Sequence, residues 1–181
     1  MSRKHRFRAE DWVHLGLSRL SEGGAEAVKL EAICAAAGLT RGSFYYHFED
    51  HPTFLVALAE QWKARQTDDI AAEHAKGGTA EALTAAALTI DYRLELGIRE
   101  LARRHPAIDE TVTAADKVRL DVLSRLYSNR FGLPQEEAHD LAFFEYAAFS
   151  GMILLSPDLP KESQQNLAAK YDALMMKALT R

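Results

Sequence analysis

Hydrophobic residues recur along most of the chain at intervals of three and four positions. This spacing predicts amphipathic helices, because residues three and four apart lie on one face of an α-helix. Val13, Leu17 and Leu20 form such a face in a first helix that begins near Arg8. The pair Gly23–Gly24 ends this helix, since glycine readily adopts the left-handed conformation that follows a helix C-terminus.

Two short helical patterns follow on either side of Gly38. Thr40 is typical of a helix N-cap, where its side chain accepts a hydrogen bond from a backbone amide of the first turn. Phe44 and Phe48 lie four positions apart and are therefore predicted to face the core together. Asp50 predicts the N-cap of the next helix.

The helical pattern restarts after Gly77–Gly78. One helix is predicted over 83–101, the next over 109–130, a third from the turn before residue 135 to about Ser156, and the last after Pro160. No hairpin signal interrupts these patterns. The sequence therefore predicts an all-α fold with roughly nine helices.

Composition and charge restrict the class of protein. The 181 residues are 48% hydrophobic and 27% charged, which is ordinary for a globular chain. Cys34 is the single cysteine, so an intramolecular disulfide and a multi-cysteine metal site are excluded. The net charge of −4 argues against a protein that coats nucleic acid, yet residues 1–47 carry +2 and the remainder −6. A basic start is usually a solvated terminus, so this division matters only if the first 47 residues carry a nucleic-acid motif.

The segment around Gly38 has the anatomy of a helix-turn-helix, in which the second helix can enter the major groove of DNA. Arg41, at the start of that helix, can donate two hydrogen bonds to guanine, and Gly42 lets the backbone approach closely. Tyr45 and Tyr46 can contact phosphates or sugars. The alternative is that these tyrosines are half-buried core residues and that Arg41 is a solvated charge.

The stretch from Ile33 to Phe48, ICAAAGLTRGSFYYHF, closely resembles the N-terminal signature of the TetR family of bacterial transcriptional regulators. The resemblance extends from about Arg8 to Trp62. It implies an N-terminal three-helix helix-turn-helix domain over 1–50 and a C-terminal helical domain for ligand binding and dimerisation over 51–181. A helix over 51–75 is expected to connect the two.

The resemblance implies a non-enzymatic regulator, most often a repressor. We expect a homodimer that binds a palindromic double-stranded DNA operator and is released by a small-molecule effector. The competing interpretation is a helical ligand-binding or protein-interaction bundle that no longer binds DNA. The expected location is the cytoplasm, because the basic start is followed by polar residues where a signal peptide would be apolar.

The residues expected to contact DNA are Lys29, Thr40, Arg41, Gly42, Ser43, Tyr45, Tyr46, His47 and His51. At His51 the chain departs from the family, which often has a phosphate-contacting lysine near the start of the fourth helix. A histidine with a pKa of about 6.5 is only partly charged at neutral pH. We therefore expect a weaker phosphate contact at this position.

The second domain offers weaker signals. The stretch from Tyr146 to Leu155 is apolar around the whole helix, which is typical either of a helix at the centre of a core or of one packed between its core and a partner. The expected dimer interface comprises Ala148, Met152, Leu155, Tyr171 and Met175. Candidate ligand contacts are Tyr92, Arg93, Tyr127, Phe144 and Tyr146, although each is more commonly a packing residue.

No motif in the chain indicates catalysis, a cofactor or a bound metal. Glu136 and His139 form one Glu-x-x-His pair, but residues 48–181 lack the second copy that a di-iron bundle needs. The apolar stretch 146–157 is shorter than the roughly 20 residues that span a bilayer, so no membrane partner is expected.

Overall fold

The computed structural model describes residues 7–75 and 79–180, and these are helical apart from short connections. The predicted break at Gly77–Gly78 lies outside the described residues. Two short segments are not α-helical: a 3-10 helix, Ala25–Val28, and a π-helical segment, Ala64–Asp68. The α-helical segments are α1 (Ala9–Gly23), α2 (Leu30–Ala37), α3 (Arg41–Tyr45), α4 (His51–Lys63), α5 (Asp69–Ala75), α6 (Ala80–Ala87), α7 (Tyr92–Ala102), α8 (Pro106–Phe131), α9 (Gln135–Leu155) and α10 (Lys161–Leu179). The π-helical segment joins α4 to α5, so the described part of the chain has nine separate helices and the all-α prediction is confirmed.

The predicted helix boundaries around the turn are correct. The Thr40 side chain accepts a hydrogen bond from the Ser43 amide at 3.2 Å, and Asp50 Oδ1 accepts one from the Thr53 amide at 2.7 Å. The second of these bonds holds the pKa of the Asp50 carboxyl below its ordinary value. Gly38 ends α2 with φ at +64°, a left-handed conformation that favours glycine.

The single helix predicted over 83–101 is wrong, because α6 ends at Ala87 and α7 begins at Tyr92. The Thr89 amide and hydroxyl both donate to the Ala86 carbonyl, at 2.9 and 2.7 Å. These bonds close a tight turn and end the helix. The apolar spacing continues across the break, so periodicity alone could not reveal it. The next helix begins at Pro106, earlier than the predicted residue 109.

The chain divides into two compact units. Unit 1 comprises the described residues up to Ala64 together with Arg93–Thr113, and unit 2 comprises the described residues within 65–92 and 114–181. Unit 1 thus contains α1 to α4, nearly all of α7 and the start of α8. The predicted boundary between functional domains at residue 50 stays a prediction.

Aromatic rings form the core of unit 1 around Phe44, which is fully buried. Its ring centroid lies 5.3 Å from Trp12, 5.2 Å from Phe48 and 5.3 Å from Phe54. The contacts with Trp12 and Phe54 are edge-to-face, an arrangement that adds to the free energy gained by burial. Phe44 therefore holds the short helix α3 against α1 and α4.

Buried polar contacts join α4 to α7 and α8 within unit 1. The Glu95 carboxylate is buried and accepts hydrogen bonds from Trp62 Nε1 at 3.2 Å and from Arg99 Nε at 3.0 Å. The Thr111 hydroxyl donates to Glu60 Oε1 at 2.7 Å. These contacts explain why residues distant in sequence belong to unit 1.

Gly16 on α1 marks a close approach to α4. A Cβ at this position would lie 2.6 Å from Leu58 Cδ2 and 2.7 Å from Phe54 Cζ, and both side chains are fully buried. We expect Gly16→Ala to lower the free energy of unfolding by about 1–3 kcal/mol, because the crowded core must shift. Gly42→Ala is the matched control: its Cβ would meet only Thr40 Oγ1 at 3.6 Å, and alanine favours the helix by up to about 1 kcal/mol. Urea denaturation measures the free energy of unfolding of both variants. Equal changes in the two variants would contradict the close approach of α1 to α4 at Gly16.

Unit 2 contains a second core in which Tyr127 packs with Ala138 and Ala142. Leu123 and Met175 pack against the same cluster, so α8, α9 and α10 share it. Within the described ranges, none of the helices combines the length and apolar character needed to cross a membrane.

Candidate nucleic-acid interface and cavities of unit 2

The helices α2 and α3 form a compact helix-turn-helix. The Leu39 amide donates to the Cys34 carbonyl at 3.0 Å and the Gly38 amide donates to the Ala35 carbonyl at 3.1 Å, which closes the turn. Ile33 of α2 and Phe44 of α3 are both fully buried in unit 1. The motif predicted from the residues around Gly38 is therefore present.

The opposite side of α3 is exposed. Tyr45 is 49% exposed and Tyr46, directly after the helix, is 70% exposed. Arg41 and Gly42 are also exposed, and Ser43 is half-buried. The alternative that the two tyrosines are half-buried core residues is wrong, and the helix presents polar and aromatic groups to its surroundings.

The two basic side chains predicted to contact DNA, Arg41 and Lys29, form ion pairs with glutamates. Arg41 Nη2 lies 2.5 Å from Glu31 Oε1, so the guanidinium is paired with a carboxylate on α2. Lys29 Nζ lies 2.5 Å from Glu26 Oε2. Both pairs are well exposed, and exposed pairs contribute only about 0–1 kcal/mol, so a stronger phosphate or guanine contact can replace them. Sequence reasoning did not foresee the pairing of Arg41 with Glu31.

The two predicted histidines contact backbone carbonyls inside unit 1. His47 Nε2 lies 3.1 Å from the Phe7 carbonyl and His51 Nε2 lies 2.8 Å from the Val28 carbonyl. Because a carbonyl oxygen only accepts, each Nε2 carries the proton and donates it. Both residues are half-buried, and their contribution to DNA binding stays a prediction.

Only part of the basic start is described. Arg3, Lys4 and Arg6 lie outside the described residues. The Arg8 guanidinium is exposed and lies 3.6 Å from Glu10 Oε2. Its positive charge is therefore available near the surface of unit 1.

Two cavities lie within the described part of unit 2. The smaller has a volume of about 110 Å³ and is lined by residues of α6, α8, α9 and the segment 66–71. Arg119 lies on its wall and donates to Thr67 Oγ1 at 2.9 Å and to the Tyr146 hydroxyl at 3.1 Å. The Tyr146 hydroxyl in turn donates to Asp116 Oδ1 at 2.6 Å. These polar groups satisfy one another across an otherwise apolar wall.

A larger cavity of about 440 Å³ lies among α8, α9 and α10 of the same unit. Glu145 lines both cavities, and its Oε2 accepts a hydrogen bond from the Tyr127 hydroxyl at 2.7 Å. The Tyr127 hydroxyl also lies 3.3 Å from the Tyr171 hydroxyl. Burial raises the pKa of the Glu145 carboxyl and of both tyrosine hydroxyls above their ordinary values.

Of the five predicted ligand contacts, two line one of these cavities and three line neither. Tyr127 and Tyr146 line cavities. Tyr92 is buried beside Phe149, whereas Arg93 and Phe144 are exposed. The ligand-binding roles themselves stay predictions.

Sequence reasoning missed Glu145 and Arg119. For Glu145 a signal was present, since it is the single charged residue between 141 and 157. For Arg119 no comparable signal exists, because α8 carries charged residues along its whole length.

The predicted dimer residues also divide. Leu155 is 83% exposed and Ala148 is exposed, while Met152, Tyr171 and Met175 are half-buried; of these five, all except Leu155 line the larger cavity. The large apolar side chains that α9 and α10 expose are Phe143, Phe144, Leu154, Leu155, Leu167 and Leu174. We call these six residues the apolar face.

The helix-turn-helix coincides with a family match. The model of bacterial regulatory proteins of the tetR family matches residues 16–57. A comparison with curated proteins finds no match.

Solved structures of transcriptional regulators share the fold. A transcriptional regulator from Rhodococcus sp. Rha1 is 20% identical, with a TM-score of 0.75 over 94% of this chain and 96% of that one. GusR of Salmonella enterica is 18% identical, with a TM-score of 0.64 over 96% and 95%. The ketosteroid transcriptional regulator KstR2 of Mycobacterium tuberculosis is 19% identical, with a TM-score of 0.60 over 99% and 97%. At these identities the likeness concerns the fold alone.

Proposed function

We propose that this chain is a non-enzymatic DNA-binding transcriptional regulator of the TetR family, and that it acts as a homodimeric repressor released by a small-molecule effector. The observation that carries this proposal is the exposed side of α3 opposite the buried Phe44. A repressor of this kind works beside the chromosome, in the cytoplasm.

In this proposal α3 enters the major groove of the operator. The N-terminal residues of a recognition helix lie nearest the base edges, and here these are Arg41, Gly42 and Ser43. Arg41 exchanges its Glu31 partner for the O6 and N7 acceptors of a guanine. Tyr45 and Tyr46 donate to phosphates and set the position of the helix in the groove.

A homodimer accounts for the apolar face of α9 and α10. Exposed apolar patches of this kind mark interaction surfaces. Ala147, Ala148 and Gly151 lie between its large side chains on α9, and small residues allow two helices to approach closely. A two-fold dimer presents two copies of α3, which suits a palindromic operator whose half-sites lie one helical turn apart.

For an effector to release the operator, it needs only to bind one conformation of the dimer more tightly than the other. A ligand that binds in unit 2 favours whichever conformation of the dimer it binds better. If that conformation spaces the two recognition helices wrongly for successive major grooves, operator affinity falls. The cavities of unit 2 supply space for such a ligand.

A gel-shift titration with DNA from upstream of the protein's own gene tests the proposal. We expect one shifted species that competitor DNA of unrelated sequence does not remove. Absence of a specific shift at micromolar protein would support the competing interpretation, a helical bundle that no longer binds DNA.

Arg41→Ala tests the predicted base contact. We expect it to weaken operator binding by about 1–3 kcal/mol and to relax the preference at one base pair per half-site. Tyr46→Ala should weaken binding similarly on all sequences, because it removes a phosphate contact.

The matched control is Arg125→Ala, which removes an exposed arginine from α8 in unit 2. Fluorescence anisotropy with operators changed one base pair at a time measures all three variants. If Arg41→Ala and Arg125→Ala have the same operator affinity and the same base-pair preference, α3 is not the recognition helix.

A further inference from the structure

We propose that the larger cavity of unit 2 binds an aromatic organic cation, such as a protonated or quaternary amine, and that Glu145 selects for its positive charge. This inference rests on the proposed function in one respect, since the cation would be the effector. The binding step itself concerns unit 2 alone.

The size and lining of the cavity suit an aromatic molecule. Its volume of about 440 Å³ lies within the range of roughly 300–1,000 Å³ of typical ligand sites. Tyr127, Phe131, Phe149 and Tyr171 contribute aromatic rings to its wall. The face of an aromatic ring attracts a cation, and these rings also give a flat apolar ligand a surface to pack on.

Glu145 supplies a carboxylate on this wall. Among the described residues, the Tyr127 hydroxyl is the one hydrogen-bond donor to this carboxylate, on Oε2. A partly desolvated carboxylate with a single neutral donor is costly in its charged form, and burial accordingly raises the pKa of this carboxyl. A cation in the cavity would restore the interaction that the carboxylate loses on leaving water.

The other charged groups on the wall do not favour an anion. Arg130 donates to both carboxylate oxygens of Asp172, at 2.7 and 3.4 Å, so these two charges balance each other. Lys170 is an exposed residue of α10, where solvent screens its charge. The half-buried carboxylate on this wall is Glu145. Burial is the largest effect on the pKa of its carboxyl and raises it, while the opposite charges of Asp172 and Arg130 raise and lower it by smaller amounts.

Two isosteric probes separate charge from shape. The fluorescent cation 4-[4-(dimethylamino)styryl]-1-methylpyridinium and the neutral 4-dimethylamino-4′-methylstilbene have nearly the same outline. We expect the full-length protein, titrated without DNA, to bind the cation at least about tenfold more tightly than the neutral probe. Equal affinity for the two probes, or no binding of the cation, would overturn the proposal.

Glu145→Gln tests the assigned residue. The amide oxygen can still accept the hydrogen bond from Tyr127, so the variant keeps this contact and removes only the charge. We expect cation affinity to fall by about tenfold or more, the affinity for the neutral probe to stay unchanged, and the urea unfolding midpoint at pH 7 to be no lower than that of the wild type. Glu137→Gln, an exposed glutamate on the same helix, should leave all three quantities unchanged.

The outcomes distinguish this inference from the proposed function. If Glu145→Gln binds the cation as well as the wild type does, Glu145 does not select the ligand, whatever the protein does with DNA. If the cation binds as expected but no operator is bound, the ligand class stands and the repressor proposal fails.

Discussion

Phe44→Ala is expected to lower the free energy of unfolding by about 3–5 kcal/mol, the usual cost of removing a fully buried phenylalanine. The ring packs against Trp12, Phe48 and Phe54, and alanine would leave a void among them. Because α3 has only five residues, it depends on this packing rather than on its own helical hydrogen bonds. Operator binding should therefore be lost together with stability.

Urea denaturation and anisotropy at a temperature where the wild type is fully folded measure both effects. The control is Tyr46→Ala, which removes a ring of similar size that is 70% exposed. Its free energy of unfolding should stay within about 0.5 kcal/mol of the wild type, while its operator affinity falls. A Phe44→Ala variant as stable as Tyr46→Ala would show that α3 is not held by the aromatic core.

Leu155→Glu is expected to convert the proposed homodimer into a monomer. Leu155 is 83% exposed within the chain, so the substitution leaves the packing of unit 2 intact. Two-fold symmetry places the same patch of both protomers in one interface, so each dimer would bury two carboxylates in an apolar surface. The cost of desolvating unpaired charges is several kcal/mol, enough to separate the protomers at micromolar concentration.

Light scattering measures the molar mass of the variant, and titration with operator DNA measures its affinity. Operator affinity should fall by about a hundredfold or more, since the two half-sites are then bound without the gain in effective concentration that a dimer provides. Gln165→Glu adds the same charge at an exposed position of α10 outside the apolar face and should leave the mass and the affinity unchanged. A Leu155→Glu protein that remains dimeric would place the interface elsewhere.

Much of the fold was predictable because its signals are local. The caps at Thr40 and Asp50 and the turn at Gly38 depend on residues within a few positions of one another, and all three occur as expected. The break between α6 and α7 was not predictable, since it depends on both donors of Thr89 pairing with one carbonyl while the apolar spacing continues. Periodicity reports which face is buried and not whether the helix is continuous.

In the candidate sites, too, some features depend on neighbouring residues and others on how the helices pack. The exposed tyrosines after Phe44 could be expected from the motif, but the pairing of Arg41 with Glu31 joins residues on different helices. Met152 and Met175 were assigned to the dimer interface from apolar character and from the family resemblance, and the structure shows that they line the larger cavity, as do Leu167 and Leu174 of the apolar face. Their roles in a dimer stay predictions. Apolar character does not distinguish a side chain that faces a cavity from one that faces a partner.

The sequence by itself determined the helical class and the helix-turn-helix, because helix periodicity, capping and turn formation act over a few neighbouring positions. Only the tertiary structure decided that Arg93–Thr113 packs with the N-terminal helices, through Glu95 and Thr111. It alone also brought Glu145 beside Tyr127 in a cavity. Those contacts join residues far apart along the chain, and their formation depends on how whole helices pack, which no local pattern encodes.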